Sequence, residues 1–223
     1  MLQPIQRVLD LARSAGILRA SDLNAHGIAR QYLVIAQEHG LLERRGRGLY
    51  ALAGHGRSEM HLIAEAARRV RRGVVCLDSA LRLHGLRGGP PREVWLAIPE
   101  KDRRPRPTDL PLRICRFSKD ALTFGVQLVT IEGVPVRVFS PAKTIADCFK
   151  YRHKIGSDLA IEILRDALRD GRVTPAELEA AAGVCRVRNV LQPYLALARS
   201  ALVPSVTRKG VASAGNVRRE RTA

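Results

Sequence analysis

Arg30, Gln31 and Tyr32 follow one another, and three further arginines, Arg44, Arg45 and Arg47, crowd a glycine-containing stretch just downstream. These residue types suit nucleic acid. Arginine reads guanine with a two-pronged hydrogen bond and glutamine can do the same for adenine, while arginines off the reading helix meet phosphate or a minor groove. A second polar set, Lys143, Asp147, Lys150, Tyr151 and Arg152, lies within SPAKTIADCFKYRHKIG. An Asp/Lys pair at this i, i+4 spacing would suit a nuclease or a transferase. It is more often an ordinary helix-face ion pair worth a few tenths of a kcal/mol. Asp78 and His84 lie on or near one helix and carry no stronger signal. The Asp and Glu-x-Lys elements of restriction-type nucleases are not arranged here: Asp109 belongs to TDLP, and REVWLAIPEK offers only Glu100-Lys101 after a proline. A metal-dependent nuclease is therefore the runner-up, and a protein–protein adaptor built on the same small module is the third reading.

Other chemistries find less support. RGRG and RGGPP lack the following helix with Lys-Ser/Thr that a phosphate loop needs. The histidines are dispersed. Cys76, Cys115, Cys148 and Cys185 are far apart, without metal-ligand spacing, and sit among apolar neighbours as buried reduced thiols do. No catalytic residue, no cofactor and no metal is expected.

The elements that must position the first set are legible. PIQRVLDLARSAG gives an amphipathic helix with Ile5, Val8, Leu9 and Ala12 on one face. SDLNAHG gives a second helix, with Ser21 as cap and Asp22 at its positive end. After Gly27 a third helix runs roughly over 29–39 and is closed by Gly40. LLERRGRGLYAL then reads as a β-hairpin with a basic tip. Helix, helix, turn, helix and hairpin in this order predict a winged helix-turn-helix, in which the third helix lies in a major groove with its N-terminal residues toward the bases.

The chain has 223 residues and a formal net charge of +17, a balance that favours polyanions. Only +3 of it falls in residues 1–56, so charge alone does not single out the N-terminal module. No secretory signal or membrane span is read, and a soluble cytoplasmic protein is expected. Beyond the linker at 53–58, SEMHLIAEAARRV reads as a helix capped by Ser58, VVCLDSALRLHGL as a short strand and a helix capped by Asp78 or Ser79, REVWLAIP and LRICRF as strands, and VQLVTIEGVPVRVF as a hairpin. Four helices follow, opening at Ser140-Pro141, Ser157, Thr174-Pro175 and near Arg188. The expected fold class is α+β: a winged helix-turn-helix domain (1–54), a larger mixed α/β domain ending in a helical bundle (58–202), and a basic tail (203–223) too poor in large apolar groups to order itself.

AGILRASDLNAHGIARQYL, ERRGRGLYAL, VCLDSALRLHGL, PREVWLAIP, IEGVPVRVFSPAKTIADCFKYRHKIG and DLAIEILRDAL, in this order across roughly residues 5–200, resemble the AbiEi-type antitoxins, the transcriptional-regulator half of bacterial AbiE toxin–antitoxin systems. The resemblance implies a non-enzymatic repressor that binds inverted repeats in double-stranded DNA of its own promoter, with two copies on an operator. It also implies a nucleotidyltransferase-like toxin countered functionally, in the type IV manner, without need of direct binding. By position the DNA-reading role falls on Arg30, Gln31, Tyr32, Arg44, Arg45 and Arg47. The matching polar residues of the second domain, read as a candidate surface, are Lys143, Asp147, Lys150 and Arg152.

Overall fold

Helix α1 (Leu2–Ala15) forms where the apolar spacing places it, with Val8 and Ala12 buried on its inner face. The structure, a computed structural model, describes residues 2–46, 48–54, 58–105 and 110–202; the tail at 203–223 lies outside the described residues. After Gly16 comes β1 (Leu18–Arg19), then α2 (Asp22–Ala25), α3 (Gln31–Glu38), β2 (Leu42–Gly46) and β3 (Leu49–Leu52). The three strands make an antiparallel sheet in the order β1-β3-β2. Val8, Leu18, Leu23, Leu33, Ala36 and Leu42 join helices and sheet in one core. Ser21 stands at the cap position of α2, but its side chain makes no capping bond; the Asp22 carboxylate instead accepts from the Arg19 backbone N–H at 3.1 Å.

The rest of the chain runs α4 (His61–Arg69), β4 (Val74–Val75), α5 (Leu77–Leu83), β5 (Val94–Pro99), β6 (Leu112–Phe117), α6 (Lys119–Thr123), β7 (Val126–Ile131), β8 (Val134–Phe139), α7 (Pro141–Lys150), α8 (Arg152–Ile155), α9 (Ser157–Arg169), α10 (Pro175–Cys185) and α11 (Arg188–Leu202). Its five-stranded mixed sheet has the order β6-β5-β4-β8-β7, with β4/β8 and β5/β6 parallel and the other neighbours antiparallel. Side chains alternate across it as the pleat requires. Val94, Leu96, Val136 and Val138 pack on α4, whereas Trp95, Ala97 and Phe139 join the core formed with α5, α7, α9 and α10. The chain is therefore a mixed α and β protein.

Several helix starts differ from the sequence reading. Helix α4 begins at His61 with Met60 at its cap; Ser58 lies further out, with its N–H on the Glu132 carboxylate at 2.7 Å. Helix α5 is preceded by Cys76 in extended conformation. Asp78 pairs instead with Arg82 at 2.8 Å, and Ser79 Oγ donates to the Glu93 carbonyl and accepts from the Trp95 N–H, tying α5 to β5. The helix opened by Ser140 breaks at Tyr151 before α8, and α9 has Gly156, not a side-chain cap, before it. Ser140 and Thr174 do cap α7 and α10, the latter in a reciprocal box with Glu177.

The N-terminal elements are docked on the five-stranded sheet. Ile17 and Leu49 pack into the core of Ile63, Ile131 and Val134. Beside them the tip of the β7–β8 hairpin, Glu132-Gly133, meets the turn at Gly16 backbone to backbone. His61 Nδ1 lies 2.7 Å from Glu132 Oε2. Burial alone would push the Glu132 carboxyl up, but hydrogen bonds from His61 and Ser58 outweigh it and hold the carboxyl below its ordinary value. A carboxyl lowered by folding adds stability above its unfolded value and loses it as pH falls through the folded one. Thermal melts from neutral pH into the acid carboxylate range are therefore expected to show a shallower acid loss for Glu132→Gln than for the parent. Superimposable acid limbs would sink this account of the hairpin tip.

Candidate nucleic-acid interface

Helix α3 buries Leu33 and Ala36 in the N-terminal core. That fixes its rotation and turns the residues at its start outward. Arg30, at the cap position, and Gln31, the first helical residue, are both exposed. Tyr32 is half-buried against the same core, so its ring is partly committed to packing.

The β2–β3 hairpin stands next to α3. Arg44 is exposed, with Nε donating to the Gly46 carbonyl at 3.3 Å, and a register shift separates Arg44 from Gly46. Arg45 departs from the expectation that all three arginines form an open tip. Its side chain is only 5% exposed and pairs with Glu43 at 3.2 Å. The physical reason is that the hairpin leans on α4: Gly46 lies so close to the Arg69 guanidinium and the Glu65 carboxylate that a Cβ there would collide with both. Arg69 and Glu65 are themselves paired at 2.9 Å. Arg47 lies outside the described residues.

The structure also assembles a basic group that no sequence window contains. An open recess is lined by Arg19, Ser21, Asp22, Arg30, Gly48 and Arg71, with Ala20 and Ala25 as its apolar floor. Asp22 is the carboxylate within it. Arg68 approaches Asp22 Oδ2 at 3.5 Å and Arg71 approaches Oδ1 at 3.4 Å. Arg68 also donates to the Ile17 carbonyl at 2.5 Å. Burial, followed by the like charge of Arg71, lowers the Arg19 guanidinium; burial chiefly lowers that of Arg68, with Asp22 opposing and Arg71 adding to it. Sequence reasoning missed Arg19, Arg68 and Arg71. The available signal was Arg68-Arg69 and Arg71-Arg72 at the end of a helix, and nothing local says that they face α2.

The second polar set divides. Lys150 is exposed, and Arg152 is half-buried with Nη1 on the Phe149 carbonyl at 3.0 Å. Lys143 and Asp147 are not at the surface: both are fully buried, paired at 2.5 Å, with Lys143 Nζ 4.2 Å above the Phe139 ring and 4.9 Å from that of Phe117. Their helix turns this stripe inward between sheet and α10, so the i, i+4 pair is an interior one rather than an exposed helix-face pair. Tyr151 packs on Phe117 with its hydroxyl toward the Arg116 carbonyl, and burial pushes the phenol up. Asp78 is held by Arg82 and Arg87, while His84 Nε2 sits 2.7 Å from the Phe139 carbonyl. Asp78 and His84 thus serve separate structural bonds. The four cysteines are buried and free. Among the described residues no helix is long and apolar enough to cross a membrane, and no three His, Cys, Asp or Glu side chains converge as a metal site requires.

Residues 6–53 match the family model described as "Transcriptional regulator, AbiEi antitoxin". No curated protein matches the chain. Among solved structures, the RV2827C protein from Mycobacterium tuberculosis is similar in fold, with a TM-score of 0.53 at 15% identity over 88% of this chain and 82% of that one. The match covers the N-terminal segment alone: residues 6–53 are similar to an AbiEi antitoxin transcriptional-regulator domain.

Proposed function

We propose that the protein is a sequence-specific DNA-binding repressor that acts as the antitoxin of a type IV toxin–antitoxin operon and binds inverted repeats in its own promoter. In this reading residues 1–54 are a winged helix-turn-helix domain, with α2 and α3 as the helix-turn-helix, α3 as the reading helix and β2–β3 as the wing. Residues 58–202 form the antitoxin domain, built on the five-stranded sheet and closed by the helices after it. The observation that carries the proposal is the exposure of Arg30 and Gln31 at the first turn of a helix whose opposite face is sunk in the core. A helix so held presents its N-terminal side chains to a major groove without rearrangement. The AbiEi match over residues 6–53 supports it.

The division of labour follows from the chemistry. Arg30 and Gln31 supply base discrimination, and Arg44 supplies a phosphate or minor-groove contact that fixes register. Arg45, committed to Glu43 and to the hairpin's seat on α4, is not among the contacts proposed. Two copies on an inverted repeat sit about one helical turn apart, or a multiple of it, and occupancy of the promoter is the repressing event. The cognate toxin, a nucleotidyltransferase-like protein, is countered without a required direct grip.

Gel-shift titration on the duplex just upstream of the gene tests this. The parent protein is expected to shift that duplex in preference to an unrelated one. Arg30→Ala is expected to cost about 1–3 kcal/mol of binding to it and to relax specificity, with little loss on unrelated DNA. A protein that leaves its own upstream DNA unshifted at low salt would overturn the proposal.

A further inference from the structure

We infer that the recess bounded by Arg19, Ser21, Arg30, Gly48 and Arg71 is a seat for a DNA-backbone phosphodiester, so that the AbiEi-type segment and the part of the chain beyond it grip one duplex together. This rests on the proposed function and adds to it a contact from outside the matched residues, Arg71.

Three observations support it. The recess draws on separate elements that meet only in the folded chain: Arg19 from β1, Arg30 from the start of α3, Gly48 from the wing turn and Arg71 from just past α4. It is adjacent to the proposed reading helix, because Arg30 belongs to both. Its charge is also not closed. Asp22 is the carboxylate among these side chains, and it is already shared by the Arg19 backbone N–H, Arg68 and Arg71 at 3.1–3.5 Å. The Arg71 side chain is 66% exposed, so its fork remains accessible to an anion, while the exposed Arg30 at the rim keeps its fork for the base edge. Like-charged guanidiniums crowded around one acid are relieved by a bound anion, and planar forks suit phosphate oxygens.

The ligand class follows from the walls. Ala20 and Ala25 form the apolar part, and among the described residues no aromatic face lines the recess on which a free base would stack. A phosphate on a passing backbone fits such an open notch better than a bound nucleotide does. Ser21, exposed at the rim, adds a hydroxyl donor.

The test compares Arg71→Ala, Arg71→Lys and Arg165→Ala in the full chain, on the upstream duplex and on an unrelated one, across a salt series. Arg165 is exposed on α9, which packs on α7 and α11, and controls for the loss of one charge. Arg71→Ala is expected to weaken both duplexes by a common factor of about three to ten and to reduce the salt slope by about 0.9. Arg71→Lys should recover most of the affinity, and Arg165→Ala should leave it in place. Asp22→Asn, which removes the acid but keeps its shape, should bind both duplexes more tightly, and its melting curve reports any loosening separately. Inorganic phosphate should compete no better than chloride at equal ionic strength. If the parent binds its upstream duplex while Arg71→Ala keeps parental affinity and slope, the seat is wrong and the repressor reading stands. Direct binding of inorganic phosphate to the parent that is lost in Arg71→Ala, with no change in that variant's duplex affinity or salt slope, would assign the seat to the free ion and overturn the duplex assignment. A parent that binds no DNA removes both.

Discussion

Gly16→Ala is expected to lower the melting temperature by roughly 4–20 °C. Two costs combine. Gly16 has φ +62, a left-handed conformation that costs a residue with a Cβ about 1–2 kcal/mol. A Cβ there would also fall on the Glu132 carbonyl oxygen and against Gly133 Cα. Neither neighbour is the loose end of a side chain, so the clash must be met by separating the two backbones, at a further 1–3 kcal/mol or so. The separation opens the seam that holds Ile17 and Leu49 against Ile63, Ile131 and Val134. Calorimetry should show this as one transition splitting into two. Gly27→Ala is the control, since Gly27 has φ +63 but nothing within 4 Å of the added carbon, and it should show the conformational cost alone. Gly133→Ala, whose Cβ would come within 2.9 Å of the Gly16 nitrogen, should resemble Gly16→Ala. Equal melting of the Gly16 and Gly27 variants would show that the two turns do not bear on each other.

This contact also shows where sequence reading stops. Glu132-Gly133 is legible as a hairpin turn and Gly16 as a helix stop, because φ > 0 is a local demand that glycine meets. That the two turns touch is a property of the fold and has no local signature. The same boundary runs through the candidate site. Helix α3 and the hairpin are legible because their periodicities of 3.6 and 2 are written in consecutive residues. Strand β1 is not, because two residues become a strand only through pairing with β3. Arg44 and Arg45 look alike in sequence, and α4 separates them by giving the hairpin something to lean on. The recess at Arg71 escaped for the same reason: its side chains come from elements that share no window.

Lys143 and Asp147 are the sharpest case, because their spacing is written in the sequence and their environment is not. An i, i+4 pair exposed on a helix contributes a few tenths of a kcal/mol. With both groups fully buried, breaking the pair by removing one partner is expected to cost about 3–5 kcal/mol. The two partners are not equally provided for. The ammonium also lies over Phe139 and Phe117, whereas the carboxylate's other oxygen has the weak Cys185 S–H at 3.2 Å. Lys143→Met, which strands the carboxylate, should therefore destabilise more than Asp147→Asn, which leaves the ammonium its two rings. The double variant Lys143→Met/Asp147→Leu removes both desolvation costs and should recover most of the loss. Burial already pushes the Asp147 carboxyl up, with Lys143 the foremost opposing influence, and Lys143→Met takes that opposition away. A carboxyl raised by folding binds its proton more readily in the native state, so its contribution falls as pH rises. The deficit of Lys143→Met should accordingly shrink in acid and grow toward neutral pH, the reverse of the Glu132 dependence. Gel shifts well below the melting temperature should find its DNA binding intact, because Arg30 and Gln31 stand on a core that contains neither residue. A pH-independent deficit would mean that the stranded carboxylate is not its cause, and a double variant no better than the worse single one would mean that the two side chains do not act as a pair.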